Sequence, residues 1–383
     1  MIVSESRAPR VLFLFTEVFA NGGIQRFNQT MLGACDRLGI RYKVLSLHDS
    51  AASIDKDFKR GDCSVVGFSG NRRRFALAAA NSLLRGRYDR VLIGHINFLT
   101  LTVAVLFLRP FHQAQTMLVA HGIEVWNGIG SARRYALSRS AKILCVSRYT
   151  RQRILDQAPA LVPNCLTLFP NALAGTWDRV VPLPVARSAS RRFILSVTRL
   201  ERGDRYKGIA TVIEAFSMLD DDSLQYFIVG HGNDLSFLQL VAERCGVNNR
   251  VHFMRGVGDS ELISLYQQCE AFVLPSGKEG FGIVFLEAMF FGAPVIAALE
   301  KGAIDVVQDC ITGLMVRFGD TVAIKEAIER LVSDIELRKR VQANGRSMVV
   351  EDGPYTFSRF TRRCAEVFEM VDSTAGNPTR QLE

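Results

Sequence analysis

The amino-acid sequence predicts an α/β protein made of two doubly wound parallel-sheet domains in tandem. Short apolar runs alternate with helical stretches of about ten to fifteen residues along the chain, the pattern of repeated strand–helix–strand units. The runs are continuously apolar, as strands buried on both faces must be. A chain of 383 residues also exceeds what one hydrophobic core usually serves.

In chain order, residues 10–16 read as the first strand. A turn through Asn21, Gly22 and Gly23 follows, then a helix over about 24–38. Further strands are expected at 42–47, 90–94, 116–120 and 142–147. The longest apolar stretch, 91–108, is interrupted by His95 and Asn97 and carries Thr100 and Thr102. It reads as a buried strand and a buried helix, not as a membrane span. Residues 180–190 lack periodicity and aromatic anchors, which marks a linker. A second strand series is expected at 192–197, 225–229, 251–253, 271–274 and 294–297. Between its last two members lie a loop at 275–280 and a helix at 281–291 closed by Gly292 and Pro294. Residues 355–371 read as a final amphipathic helix, with disorder from Asp372. The expected division is an N-terminal domain 1–180, a linker 181–191, a C-terminal domain 192–355, a last helix 356–372 and a tail 373–383.

The net charge of +9 hides an asymmetry. Residues 1–190 carry 25 Lys plus Arg against 11 Asp plus Glu, and the remainder 22 against 27. Clusters at Lys59 and Arg60, at Arg72 to Arg74, at Arg85, Arg87 and Arg90, and at Arg133, Arg134 and Arg139 suit an anionic membrane surface or a phosphorylated acceptor. A solvated basic surface would look the same. No aromatic-interleaved basic module or zinc spacing points to nucleic acid. The eight cysteines form no Cys-x-x-Cys pair and sit mostly in apolar runs, which points to a reducing compartment and no structural metal. The N-terminal apolar run stops at Glu17 without a small-residue cleavage site, so it reads as a strand and not a signal peptide. The expected location is the cytoplasm, with peripheral contact at the cytoplasmic face of the membrane.

The most informative motif is the pair Glu279 and Glu287, bracketing a glycine turn that opens a helix. Amides at Phe281, Gly282 and Ile283 begin that helix, and with its dipole they suit a phosphate. Glu279, just before them, can face what the phosphate carries. Glu287 lies five residues beyond Gly282, about 7.5 Å along a helix axis, a distance comparable with that from a phosphate to a ribose. A solvated Glu and a capping Glu would show the same spacing.

These two glutamates, separated by seven residues, resemble the signature of the retaining glycosyltransferase family 4, also described as glycosyl transferases group 1. The resemblance implies the GT-B fold: two Rossmann-like domains facing a central cleft, with a C-terminal helix crossing back. It implies transfer of a hexose, of mannose or glucose type, from a GDP- or UDP-linked nucleotide sugar to an acceptor hydroxyl, with no further cofactor. Many relatives act on lipid-linked glycans in exopolysaccharide or lipopolysaccharide synthesis. A lipid-linked glycan is the expected acceptor, and an oligosaccharide or other soluble acceptor fits too.

In this family an Arg and a Lys-Gly after the first strand of the second domain clamp the diphosphate. Arg199 and Lys207-Gly208 stand there, with Arg202 and Arg205 added between them. Gly230 and Gly232 permit close backbone approach, and Arg255, Gly256 and Val257 correspond to the stretch flanking the nucleotide base. In the first half, Gly22 and Gly23 correspond to the loop near donor diphosphate and acceptor. His121-Gly122 with Glu124 matches a His-Gly and acidic pattern, His121 meeting the donor sugar. His95 and Glu124 are acceptor candidates. Lys301-Gly302 departs from a frequent Gly-Gly, and Asp305 from a usual Glu. No metal is expected: the Asp-x-Asp spacings at Asp55 and Asp57 and at Asp220 and Asp222 do not follow a strand as a metal-bound diphosphate requires.

Other classes remain at this stage. A dinucleotide-dependent oxidoreductase would share the architecture, but Gly-x-Gly-x-x-Gly is absent after the first strand. A nucleotide-sugar epimerase would need no acceptor. A non-catalytic carbohydrate-binding scaffold would keep the fold alone.

Overall fold

The computed structural model describes residues 8–20, 22–52, 54, 63–108, 114–160, 165–173 and 192–370. The expected linker and tail, the cluster at Lys59 and Arg60, and the pair Asp55 and Asp57 lie outside the described residues. The chain divides into two units, Met1–Asp178 with Phe357–Glu383 and Arg179–Thr356.

In the first unit the strands are β1 (Arg10–Phe15), β2 (Arg41–Ser46), β3 (Ser64–Gly67), β4 (Arg90–Ile93), β5 (Gln115–Ala120), β6 (Lys142–Cys145) and β7 (Leu166–Leu168). They lie in the order β3-β2-β1-β4-β5-β6-β7, every neighbouring pair parallel. Val11 to Phe15 of the central β1 are all buried, which is why the run is apolar on both faces. Strand order reverses between β1 and β4, so the crevice of this sheet opens at their carboxyl ends.

Helix Gly23–Arg37 puts Phe27, Met31, Ala34 and Cys35 on one buried stripe at helical spacing. The last helix, Phe357–Val367, belongs to this unit and completes that stripe's burial. Phe360 packs edge-on against Phe27 at 5.7 Å and Phe169 at 5.0 Å between centroids, and the Cys364 sulfur meets the Met31 sulfur at 3.7 Å. The stretch 91–108 is indeed strand β4 followed by helix Leu99–Phe107. Among the described residues no helix is long and apolar enough to cross a membrane.

The second unit holds β8 (Phe193–Val197), β9 (Gln225–Val229), β10 (Val251–Met254), β11 (Ala271–Leu274), β12 (Val295–Ala298) and β13 (Leu314–Val316), in the order β10-β9-β8-β11-β12-β13 and again all parallel. Its switch point lies between β8 and β11, where Ile194 pairs with Ala271. Both β11 and β12 are wholly buried.

The expected strands end within two residues of their observed limits, and two helices are shorter than expected. The helix expected at 281–291 runs Ile283–Phe290, because Gly282 takes a φ of 97° and cannot continue a right-handed helix; Phe281 and Gly282 therefore belong to the loop. The last helix spans Phe357–Val367 and not 355–371, with Glu369 at a φ of 56° just beyond it.

Candidate functional site

The second unit's site is built where β8 and β11 end side by side. The chain leaving β8 turns through Arg199 and a 3-10 segment, Arg202–Lys207, while the chain leaving β11 forms the loop 275–280 ahead of helix Ile283–Phe290. Adjacency of these strands brings together residues 72 positions apart: the Lys207 ammonium donates to Glu279 Oε2 at 2.8 Å. Both side chains are mostly buried, at 16% and 14% exposure, so the pair is shielded more than a surface ion pair. A second tie crosses the same seam, from Gly277 N–H to the Tyr206 carbonyl at 2.8 Å.

The cations divide into structural and available groups. Arg205 forks onto Asp234 with two bonds of 2.7 Å and stacks over Phe237, which fastens the 3-10 segment to the start of helix Leu235–Arg244. Arg199 is 60% exposed and has one ionic contact among the described residues, with Asp204 at 3.0 Å, whereas Arg205, 47% exposed, commits two bonds to Asp234. Tyr206 donates its hydroxyl to Asp204, and burial first and that bond second raise the phenol's pKa, keeping it protonated. Its ring lies 5.5 Å from the Lys207 ammonium and 5.6 Å from that of Lys278.

Farther along the same sheet edge, Gly230 and Gly232 form the turn after β9, where Gly230 N–H donates to the Met254 carbonyl at 3.0 Å. Arg255 and Gly256 are exposed after β10, with Val257 half-buried beside them. Glu287, half-buried one turn into its helix, accepts from the Tyr266 hydroxyl at 3.4 Å. Thus Arg199, Lys207, Glu279, Phe281, Gly282 and Ile283 gather at one switch point, whereas Arg255 to Val257 lie at the far edge strand.

In the first unit, Gly22 caps helix Gly23–Arg37, His95 follows β4 and His121 follows β5. The β1 loop is held by Asp49, which accepts from Val18 N–H at 2.7 Å and Phe19 N–H at 3.2 Å. His95 turns its Nδ1 onto Asn97 N–H at 3.2 Å, and burial first, then Arg133, lowers its pKa. His121 is buried edge-on against Phe27 at 4.9 Å between centroids. Burial chiefly, with His95 second, lowers its pKa to about 3, so the imidazole is neutral. Its Nε2 is buried with no protein partner among the described residues. A buried nitrogen left in this way calls for a partner such as a water or a ligand.

Glu124 is turned inward: its Oε1 accepts from the amides of His121 at 2.6 Å and Gly122 at 3.1 Å. Burial raises its pKa while those amides lower it. Through that oxygen the carboxylate shapes the His121 turn. Buried Oδ1 atoms on Asn28 and Asn171, without a partner among the described residues, escaped the sequence reading. Asn171 simply follows Pro170, and Asn28 gives no signal beyond a polar residue on an apolar stripe.

A doubly wound sheet that sets an Arg, a Lys and a Glu around its switch point, ahead of a helix N-terminus, belongs to the class of α/β proteins suited to phosphorylated ligands. Residues 185–348 match the family model for glycosyl transferases group 1, and residues 21–173 the model for glycosyltransferase family 4. The chain belongs to this glycosyltransferase family. It is 32% identical over 255 residues to a GDP-mannose-dependent alpha-(1-6)-phosphatidylinositol monomannoside mannosyltransferase of Mycobacterium tuberculosis, spanning 62% of this chain and 65% of that relative. It is 44% identical over 90 residues to the capsular polysaccharide biosynthesis glycosyltransferase CapM of Staphylococcus aureus, 24% of each chain. The crystal structure of Anabaena Alr3699/HepE in complex with UDP and glucose matches with a TM-score of 0.75 at 17% identity, covering 95% of this chain and 100% of that one. The fold is therefore that of the GT-B glycosyltransferases.

Proposed function

We propose that the protein is a retaining hexosyltransferase that moves mannose or glucose from a GDP- or UDP-linked donor to an acceptor hydroxyl. The observation that carries the reading is the Lys207–Glu279 pair, set at the β8–β11 switch point beside a helix N-terminus. In the reaction, the bond from the sugar's anomeric carbon to the diphosphate breaks and a bond to the acceptor oxygen forms. The acceptor proton passes to the departing phosphate. Arg199 and Lys207 offset charge growing on that diphosphate, assisted by amides around Gly282 and Ile283. Glu279 is assigned to hold the donor sugar's hydroxyls and Glu287 the ribose, while Gly230, Gly232 and Arg255 to Val257 approach the nucleotide by backbone. Neutral His121 offers Nε2 to a sugar hydroxyl, with Glu124 shaping its turn; Gly23 is assigned to the donor, and Gly22, His95 and Glu124 to the acceptor side.

The resemblance to a GDP-mannose-dependent relative makes GDP-mannose the first donor to test. A lipid-linked glycan is the proposed acceptor, which calls for contact with an anionic membrane. One face of the first unit supports that reading. Helices Arg72–Arg85, Leu99–Phe107 and Ser131–Ser138 pack in sequence, contain no acidic residue, and expose Leu77 (72%), Phe107 (75%), Leu108 (73%) and Tyr135 (59%) among their arginines.

Calorimetry with GDP, UDP, ADP and NAD, without metal and again with magnesium, tests the function directly. Tight binding of one nucleoside diphosphate is expected. Binding of NAD, or of nothing, would overturn the reading, and release of an altered nucleotide sugar without acceptor would replace it with epimerisation.

A further inference from the structure

Lys301 holds its main chain at a φ of 59°, in the left-handed region that glycine enters freely and a residue with a Cβ enters under strain. Such a conformation persists where surrounding contacts fix it, and it concentrates at functional sites. Here the contacts are specific. The Lys301 ammonium donates to the Gly277 carbonyl. The amide of Gly302 donates to the Glu279 carbonyl at 2.9 Å, and the turn presses so close that a Cβ on Gly302 would sit 2.0 Å from the Gly280 carbonyl oxygen. On its other side the same loop is tied by Gly277 N–H to Tyr206. The loop 275–280 is thus laced toward β8 by Tyr206 and toward β12 by Lys301 and Gly302.

We propose that Lys301 is a positioning residue that straps the Glu279 loop in place through the Gly277 carbonyl, and keeps it there when Lys207 turns from Glu279 to a donor phosphate. The second clause rests on the proposed donor site; the first does not. In the ligand-free protein Lys207 restrains Glu279 directly. A diphosphate competes for that same ammonium, so donor binding removes one restraint on the carboxylate at the moment its position matters. The Lys301 strap does not involve Lys207 and survives the exchange. A cationic side chain of similar length can replace it, and an uncharged one cannot.

Hydrogen exchange read by mass spectrometry, on the full ligand-free chain with the substitutions Lys301→Met and Lys301→Arg, tests the strap. Loop amides over 276–282 should exchange about tenfold faster in the methionine variant and near the wild-type rate in the arginine variant, with Ala271–Leu274 unchanged. Equal loop exchange in wild type and methionine variant overturns the strap, as does acceleration spread equally through that strand. With ligand, Lys301→Met should leave affinity for free nucleoside diphosphate within about twofold and lower turnover of the sugar donor about tenfold. Parallel loss of both overturns the second clause. Failure of the wild type to bind any nucleoside diphosphate would instead sink the proposed donor site, leaving the exchange experiment to decide the strap.

Discussion

Glu279 has one oxygen committed to Lys207, and this couples the two groups proposed to meet opposite ends of one donor. Replacing Glu279 with Gln keeps an acceptor for the ammonium and removes the charge. Turnover should fall roughly a hundredfold or more while the melting temperature moves by only a few degrees. Near-normal turnover would take Glu279 out of the site. His121 makes a prediction of another kind. Its folded pKa of about 3 lies below the unfolded value near 6.5, so between those limits the unfolded chain binds a proton that the folded chain refuses. Stability from this group is complete above pH 6.5 and is lost as the pH falls toward 3, by at most about 1.4 kcal/mol per pH unit. Urea midpoints below pH 6.5 should therefore decline more steeply in the wild type than in His121→Gln, and parallel declines would assign the effect elsewhere. The Glu279–Glu287 spacing was legible in the sequence because it lies within one turn and one helix. The Lys207 contact was not, since only the pairing of β8 with β11 creates it. Nor was the inward turn of Glu124, which depends on amides two and three residues before it.

At the scale of elements, the loop leading into helix Ile283–Phe290 depends on Gly282, whose φ is 97° and where a Cβ would meet the Phe285 ring at 2.3 Å. Gly282→Ala should cost roughly 1–3 kcal/mol and weaken nucleoside diphosphate binding, measured by melting and calorimetry. An unchanged melting temperature would show that the loop tolerates a side chain there. Interior strands were readable where burial on both faces leaves an unbroken apolar run, as in Val11 to Phe15 of β1 and throughout β11. Strands β3, β7 and β13 were not, because each keeps a half-buried or exposed position, and an interrupted run of three or four residues cannot be separated from loop. Helix Arg72–Arg85 was hidden behind its three leading arginines, which read as a charge cluster; Asn71, accepting from Arg74 N–H at 3.0 Å, was the start signal.

At the scale of the molecule, the charge asymmetry places the positive excess on the first half of the chain. The protein should co-sediment with phosphatidylglycerol vesicles and not with neutral ones. High salt should release it, because the screening length shrinks from about 10 Å at 0.1 M to about 3 Å at 1 M. Substituting Phe107 and Leu108 with Ser should weaken the association, and equal binding to both vesicle types would remove the basic face from the account. The first unit is also discontinuous: Phe360 and Cys364 close a core begun by Phe27 and Met31. During synthesis, about 180 residues separate the two contributions. At roughly 5–20 residues per second, the ribosome leaves the nascent first sheet with an uncovered apolar stripe for about 10–40 s, while the second unit already has all its strands. The half that emerges first is therefore the half that finishes last, and it is the one that nascent-chain chaperones have reason to hold.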